Sequence, residues 1–422
     1  MTLHDGFVKR FPSPRRSESG SDSPPSFEGG FQIRVLFIVA HLGKGGGLAL
    51  QTFQLFQSLR SHIDVDLLCL DAPGLHRSML KEPGVIVAGP LVYPRGILTL
   101  ARVLRSIRDD YDLFQVLDPY YALPAAYLAK AFPRIVFFGQ EPAREIGYRY
   151  GLAPALLTHA AIPALLAGGL LVVNSHSLAE RFAKYAPLVI PNGLDLRRFE
   201  HLPGKDDARR RLGLPEGRTL LAWVGKMIPI KRVEWLLEVL RLNPEVAAVA
   251  VGGYREDHYG DTYYQTLLRA YPDVRDRIVF TGEVAWDDVP QYLAAADIFV
   301  FPSRFEGLPN AVIEAMSAGL PVVASDIPPH RELVLVGRTG FLASDPAAMA
   351  RSVATLAKDE GLRREMGLGA RSFVREHLTS EACMQAFLDL YRSVVEQKHR
   401  SVVHAFPDRR GDVELTSEVK SR

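Results

Sequence analysis

The strongest constraint on the fold is an alternation of apolar runs and helical segments that occurs twice along the chain. From residue 32, strand-like runs such as QIRVLFIV at 32–39 alternate with helical segments such as 48–60. After PNGLD at 191–195 the same scheme begins again. Strands that alternate with helices form parallel sheets with helices on both faces. The sequence therefore predicts an α/β protein with two facing Rossmann-like domains and a cleft between them.

The predicted strands divide into two sets, one on each side of PNGLD. The first set is 32–39, 63–70, 85–88, 113–117, 134–138, 170–174 and 188–190. The second set is 219–224, 247–251, 278–280, 298–301, 321–324 and 340–342. Ligands of such sheets bind beyond the carboxyl ends of the strands, so the loops at those ends are the candidate site.

The segment FPSRFEGLPNAVIEAMSAG at 301–319 is the most informative of these regions. Glu306 precedes a predicted helix, Pro309 suits the first helical position, and Glu314 lies about a turn and a half inside the helix. Gly307 removes a side chain where the backbone would approach a ligand. The N–H groups at the helix start form an anion site. This element therefore offers a phosphate cradle and two carboxylates that can bind sugar hydroxyls.

The segment FEGLPNAVIEAMSAGLPVVAS at 305–325 resembles the signature of the retaining, GT-B-fold, nucleotide-sugar glycosyltransferases of family 4. Four more segments fit in the same order: VIPNGLDLRRF at 189–199, WVGKMIPIKRVEWLLEVL at 223–240, FTGEVAWDDVPQYLAAADIFVFPS at 280–303 and GRTGFLASDP at 337–346. The resemblance covers about residues 31–395 and is most specific across 189–346. It implies the GT-B fold and no cofactor. It also implies a UDP- or GDP-sugar as donor.

The same resemblance assigns roles around the two glutamates. Glu306 would contact the hydroxyls of the donor sugar, and Glu314 would hold the ribose hydroxyls. The backbone amides of Gly307, Leu308 and Asn310 would lie near the sugar and the phosphates.

Other candidate site residues lie at strand ends. Lys226 and Lys231, in GKMIPIK, would neutralise the diphosphate and stabilise the leaving group, although such a pair is also typical of a solvated loop. The Gly46-Gly47 pair matches a loop that faces the donor diphosphate and the acceptor. Glu283 and Val284 match a strand end whose backbone reads the nucleobase edge, and a plain loop explains these two residues nearly as well.

Gln140 is the main departure from the family pattern. The family usually has a histidine at this position, near the anomeric carbon of the donor sugar, whereas a glutamine can hydrogen-bond but cannot titrate. We therefore expect Gln140 to position the sugar, and with Glu306 and Lys231 it completes the predicted catalytic set. Glu141 and Arg144 align with relatives that read His-Glu-Pro here and are expected to bind substrate.

The length and composition of the chain limit the number of domains, the class of partner and the compartment. A chain of 422 residues with a net charge of +2 is long enough for two domains and gives no reason to expect nucleic acid as a partner. We expect an N-terminal tail at 1–30, a first domain at 31–197 joined by a returning helix at 380–396, a second domain at 198–379 and a tail at 397–422, both tails disordered. Two cysteines without a CxxC motif favour the cytoplasm, and no metal site is evident.

Residues 151–173 carry no formal charge and are long enough to span a bilayer. Pro154, Pro163 and the Gly168-Gly169 pair instead predict a helix followed by a strand. Arg144, Arg149 and the apolar helix could contact the inner face of the membrane peripherally.

These features favour a hexosyltransferase that moves a sugar from a nucleoside diphosphate to a hydroxyl of a glycan, lipid-linked or small-molecule acceptor, with retention of configuration. Two alternatives stay open. One is a nucleotide-sugar epimerase on the same fold. The other is a non-catalytic nucleotide-sugar or glycan-binding homologue, which the glutamine at position 140 favours.

Overall fold

The computed structural model describes residues 9–10, 33–40, 47–71, 81–90, 95–253 and 260–401. Most of the expected tails, together with Gly46, lie outside these residues. Two parallel sheets organise the described chain, one on each side of the PNGLD segment.

The first sheet has eight strands in the order β1-β4-β3-β2-β5-β6-β7-β8, and all neighbours are parallel except β1 and β4. Its strands are β1 (Lys9–Arg10), β2 (Arg34–Ile38), β3 (Asp64–Asp71), β4 (Val85–Pro90), β5 (Leu113–Val116), β6 (Arg134–Phe138), β7 (Gly169–Val173) and β8 (Leu188–Val189). All five residues of β6 are buried, because helices cover both faces of a parallel sheet.

Helices α1 to α6 belong to this half: α1 (Gly47–Leu59), α2 (Arg95–Ile107), α3 (Ala122–Ala129), α4 (Pro142–Tyr150), α5 (Leu152–Leu166) and α6 (His176–Arg181). The core has two layers. Phe53 and Phe56 of α1 lie in one apolar cluster with Phe37 of β2. Leu100 of α2 and Leu123 of α3 lie in a second cluster.

The second sheet is fully parallel, with six strands in the order β11-β10-β9-β12-β13-β14. Its strands are β9 (Thr219–Val224), β10 (Val246–Val251), β11 (Ile278–Gly282), β12 (Ile298–Phe301), β13 (Val322–Ser325) and β14 (Gly340–Ala343). Its helices are α7 (Lys205–Leu212), α8 (Val233–Leu242), α9 (Gly260–Ala270), α10 (Val289–Ala295), α11 (Asn310–Ser317), α12 (Pro328–Leu333), α13 (Pro346–Lys358) and α14 (Glu360–His377).

The last described helix, α15 (Ser380–Ser401), returns to the first sheet, where Phe387 and Tyr391 are buried in the same cluster as α1. The PNGLD segment passes very close to the start of α15. A side-chain carbon on Gly193 would lie 2.6 Å from the Cβ of Cys383 and 2.6 Å from the carbonyl oxygen of Thr379. The glycine of the PNGLD segment is therefore needed where the chain passes the start of α15.

The strands observed in both halves agree with the predicted ones to within two residues at each end. Two differences concern the expected tails: Lys9–Arg10 pairs with β4, and α15 continues five residues beyond the predicted end at 396. The predicted domain boundaries remain predictions.

Candidate active site

The helix that carries the second glutamate begins one residue later than predicted. Pro309 is the N-cap of α11, with an extended backbone at φ −77° and ψ 111°. Its carbonyl accepts from the amides of Val312 and Ile313 at 3.1 and 3.3 Å, as an N-cap carbonyl does. Gly319, at φ 82°, follows the helix end in the left-handed conformation expected of a terminating glycine.

Glu306, on the loop after β12, and Lys231, on the loop after β9, form an ion pair. The Lys231 Nζ lies 2.5 Å from the Glu306 Oε1, and the two side chains are only 21% and 11% exposed. The ammonium also lies 5.3 Å from the centre of the Phe301 ring. Lys231 was predicted to bind the donor diphosphate and Glu306 the donor sugar. In the structure these two residues pair with each other.

Glu314 lies deeper and is held by two residues that the sequence analysis missed. Its Oε1 accepts from Arg198 Nη1 at 3.1 Å and from Trp286 Nε1 at 3.2 Å. Arg198 also stacks on Trp286, with its Cζ 3.1 Å from the ring centre. Burial raises the pKa of the Glu314 carboxyl, and Arg198 opposes that shift. A donor ribose that binds Glu314 would have to share it with this arginine and tryptophan.

Gly307 is explained by the protein itself. A side-chain carbon there would lie 1.6 Å from the carbonyl oxygen of Gly139, which follows β6 of the other half. The loops that leave β6 and β12 are therefore in direct contact across the cleft. This backbone contact by itself requires a glycine at position 307, and the expected approach of a ligand there stays a prediction.

A row of amides joins the two halves beside that contact. The Asn310 Oδ1 accepts from Gln51 of α1 at 2.6 Å and from Asn192 at 3.0 Å. Asn192 also donates to the carbonyl of Leu308 at 3.0 Å. On its other side, the Asn192 side chain accepts from Asn174 at 3.3 Å. Asn310 and Leu308 thus connect the two halves through atoms other than the amides that were expected to face the donor.

A second bridge across the cleft lies at the start of α6. The two carboxylate oxygens of Glu332, on α12, accept from the backbone amides of His176 and Ser177 at 2.8 Å each. Amides at a helix start have no partner within the helix, and a carboxylate there is stabilised by the helix dipole. Glu332 therefore fastens the second half onto the first.

The residues after β6 lie on the first half of the cleft. Gln140 is half-buried, and Glu141 is the N-cap of α4 with its Oε2 2.7 Å from Arg181 Nε. Arg144 reaches across the cleft, because its Cζ lies 4.8 Å from the centre of the Phe305 ring. Arg144 therefore lies next to the segment that contains Glu306.

The remaining predicted residues lie at strand ends of the second sheet or near the start of α1. Lys226 is half-buried after β9, Glu283 is exposed after β11, and Val284 packs against the core of the second half. Gly47 begins α1. In the described part of the chain, no group of three or more His, Cys, Asp or Glu side chains could hold a metal ion.

His330 of α12 is a further residue that the sequence analysis missed. It is fully buried, its ring packs 5.6 Å from Phe301, and its Nδ1 lies 2.8 Å from the carbonyl oxygen of Ser325. Burial lowers its pKa to about 4. The imidazole is therefore neutral at physiological pH. It lies close enough to Glu306 and Lys231 for both charges to act on it.

Comparison with known families agrees with this geometry. The model for glycosyl transferases group 1 matches residues 218–359, a segment that includes both glutamates and both lysines of the cleft. This region is a group 1 glycosyltransferase domain. The described chain also has the GT-B architecture, since HepE from Anabaena, solved with UDP and glucose, matches it with a TM-score of 0.73. That match has 21% identity and covers 86% of this chain and 100% of HepE.

Two curated relatives match about half of the chain or less. The D-inositol 3-phosphate glycosyltransferase of Streptomyces avermitilis is 30% identical over 224 residues, which are 51% of this chain and 48% of the relative. The UDP-Gal:alpha-D-GlcNAc-diphosphoundecaprenol alpha-1,3-galactosyltransferase of Escherichia coli is 34% identical over 162 residues, 36% of this chain and 40% of the relative. The chain thus spans about half the length of the curated relatives it matches.

Proposed function

We propose that this protein is a retaining hexosyltransferase that uses a nucleoside diphosphate sugar. The observation that carries the proposal is the ion pair of Lys231 with Glu306, together with the buried Glu314 on the helix that follows Glu306. A cation beside a carboxylate suits a ligand that presents a phosphate next to a sugar. The second carboxylate then suits the ribose.

Donor binding would split the ion pair. The diphosphate takes Lys231 and Lys226, and the start of α11 adds positive potential. Glu306 is then free to accept from hydroxyls of the hexose. Because both groups are already held within the cleft, little reorganisation is needed when negative charge develops on the leaving diphosphate.

In the transfer step, the acceptor oxygen bonds to the anomeric carbon while the bond from that carbon to the diphosphate oxygen breaks. The electron pair leaves with the diphosphate, and a phosphate oxygen takes the acceptor proton. Attack and departure occur on the same face, so the configuration is retained. Gln140 orients the sugar and takes no proton. The contacts of Gly307 and Glu332 across the cleft hold it closed against water.

An assay of nucleoside diphosphate release tests this proposal whichever sugar the donor carries. UDP-, GDP- and ADP-sugars are incubated with the protein and mixed glycan and lipid acceptors, with and without EDTA. We expect release from one donor class, undiminished by EDTA, and NMR of the product should show the donor's anomeric configuration. Strict dependence on Mg²⁺ or Mn²⁺ would contradict the charge roles of Lys226 and Lys231, and an inverted product would contradict the mechanism.

The same assay separates the two alternatives. An epimerase would convert the donor sugar without forming a bond to a second molecule. A non-catalytic homologue would bind the nucleotide sugar and release no diphosphate. The reason to test for this outcome is Gln140, which stands where the family usually has a histidine.

We also propose a peripheral membrane contact through α5, in the cytoplasm. Leu152, Leu156 and Leu157 are 74%, 60% and 73% exposed in the first half of the helix, which contains no Asp, Glu, Lys or Arg. Exposed leucines at this density suit the headgroup boundary of a bilayer. No helix in the described residues has the length and apolarity needed to cross a membrane. The variant Leu156→Ser/Leu157→Ser should lose co-sedimentation with anionic vesicles, and unchanged sedimentation would remove α5 from this role.

A further inference from the structure

Four arginines from both halves of the protein surround the outer rim of the cleft. Arg144 is on α4 and Arg181 ends α6, whereas Arg304 follows β12 and Arg232 precedes α8. We call these four residues the arginine rim. Their positions on four separate elements mean that only the closed arrangement of the two halves brings them together.

Several contacts place the rim beside the predicted reaction centre. Arg144 stacks on Phe305 at 4.8 Å, and Phe305 is the residue before Glu306. The backbone amide of Arg304 donates to the carbonyl of Ile230 at 2.8 Å, which sets Arg304 against the loop that carries Lys231. Arg232 follows Lys231 and stacks on Trp235 at 4.8 Å.

Three of the four rim arginines, Arg144, Arg232 and Arg304, form no ion pair among the described residues. Among the described residues, the one ion pair of these arginines is that of Arg181 with Glu141, at 2.7 Å. Burial first, and then the charges of Arg181 and Arg304, lowers the pKa of Arg144, and Glu141 opposes that shift. Burial and then Arg304 lower the pKa of Arg232, and Glu234 opposes that shift. The arginines therefore act on one another, with Arg304 central.

The other nearby carboxylates make their shortest contacts with groups outside the arginine rim. Glu306 pairs with Lys231, Glu145 accepts from the Tyr120 hydroxyl, and Glu234 accepts from the Tyr263 hydroxyl. Stacking on aromatic rings holds a guanidinium in place without neutralising it. Several arginines that lie close together, most of them outside any ion pair, favour an anionic ligand.

The donor does not account for this anion, because its diphosphate is assigned to Lys226, Lys231 and the start of α11. We propose that the arginine rim binds a phosphate ester of the acceptor, so that the acceptor is an anionic molecule and not a neutral glycan. This inference rests on the proposed function. The planar guanidinium is suited to phosphate because its N–H groups can donate in pairs to two oxygens.

The phosphate could belong to a soluble sugar phosphate or to a lipid headgroup, and binding measurements can separate these sources. The protein is first saturated with the nucleoside diphosphate that it binds, so that the donor site is occupied. Glucose 6-phosphate is then compared with glucose by calorimetry, and vesicles containing phosphatidic acid are compared with vesicles of phosphatidylcholine alone. Tighter binding of the soluble or the membrane phosphate identifies the source.

Arg304→Gln is the decisive variant, because Arg304 is exposed and its charge acts on both Arg144 and Arg232. We expect it to weaken binding of the phosphate probe at least tenfold, and Arg304→Lys to recover part of the loss. Arg241→Gln is the matched control, since Arg241, on α8, is also an exposed arginine and pairs with Asp273 at 3.1 Å.

Two results would overturn the inference: phosphate probes that bind no tighter than their neutral partners, or an Arg304→Gln variant that binds them as well as the wild type. Nucleoside diphosphate binding is measured in the same samples. If that binding is present while the probes do not discriminate, the rim inference fails and the proposed function stands. If no nucleotide binds but binding of the phosphate probes still depends on Arg304, the proposed function fails and the anion site stands.

Discussion

Replacing Lys231 by alanine should impair both stability and catalysis, and the structure separates the two effects. The Lys231 ammonium lies 2.5 Å from Glu306, whose side chain is only 11% exposed. Removing the cation leaves that carboxylate partly desolvated with its partner gone, which costs roughly 1–3 kcal/mol in the free energy of unfolding. Loss of one preorganised charge at the leaving group costs roughly 100- to 1,000-fold in rate.

A double-mutant cycle with Glu306→Gln tests which role of Lys231 matters for the reaction. If Lys231 acts on the diphosphate, Lys231→Ala should still lower kcat/KM at least tenfold when Glu306 is already glutamine. If it only holds Glu306, the second substitution should cost nothing further, because the two residues would then act as one unit. Stability is read from denaturant unfolding, and kcat/KM from nucleoside diphosphate release.

Lys205→Ala is the matched control for this cycle. Lys205 pairs with Asp297 at the same 2.5 Å, on α7 and away from the cleft, and is 47% exposed. Its loss should cost about 1 kcal/mol or less in stability, because Arg209 still pairs with the buried Asp297 at 2.6 Å, and it should leave kcat/KM unchanged. An unchanged kcat/KM in Lys231→Ala, or equal losses in the two lysine variants, would refute the proposed role of Lys231.

Four further predictions follow from the same contacts. Glu314→Gln should mainly raise KM for the donor, because the ribose is held alike in ground and transition states; steady-state kinetics that show a normal KM and a large loss of kcat would contradict this. Glu332→Ala removes the carboxylate that caps α6, so small-angle scattering should show a wider cleft without donor, whereas an unchanged radius of gyration would leave Glu332 without a role in closure. Gly307→Ala places a carbon 1.6 Å from the Gly139 oxygen; it should force the cleft open and lower kcat/KM while each half stays folded by circular dichroism, and normal turnover would refute the contact. Burial lowers the pKa of His330 from 6.5 to about 4, so the unfolded chain takes up the proton first as pH falls. The free energy of unfolding should therefore fall between pH 6.5 and pH 4, by up to about 3 kcal/mol relative to His330→Gln. Parallel curves of stability against pH for the two proteins would contradict this.

Sequence reasoning succeeded where the information is local. The strand and helix pattern around Glu306 and Glu314 depends on residues near each other in the chain, and a short family signature placed both carboxylates on one element. Pro309 was misplaced by one residue because a proline suits both the N-cap and the first helical position, and its extended ψ of 111° decided between them.

Long-range contacts could not be predicted in this way. Arg198 reaches Glu314 from 116 positions away, and Glu332 caps α6 from 156 positions away. No periodicity or turn signal marks such a pair, because both residue types are common on surfaces. The backbone contact of Gly307 could not be predicted for the same reason, because the carbonyl that approaches it belongs to Gly139, in the other half of the chain.

The most direct test of the cleft as a nucleotide-sugar site is calorimetric titration of UDP-, GDP- and ADP-sugars into the wild type and Glu314→Gln. We predict that one nucleotide class binds the wild type and that Glu314→Gln weakens its binding roughly tenfold or more, since a hydrogen bond to a charged group is worth about 1.5–3 kcal/mol. Failure of every nucleotide sugar to bind, or equal affinity in the two proteins, would contradict the assignment of this cleft as a nucleotide-sugar site.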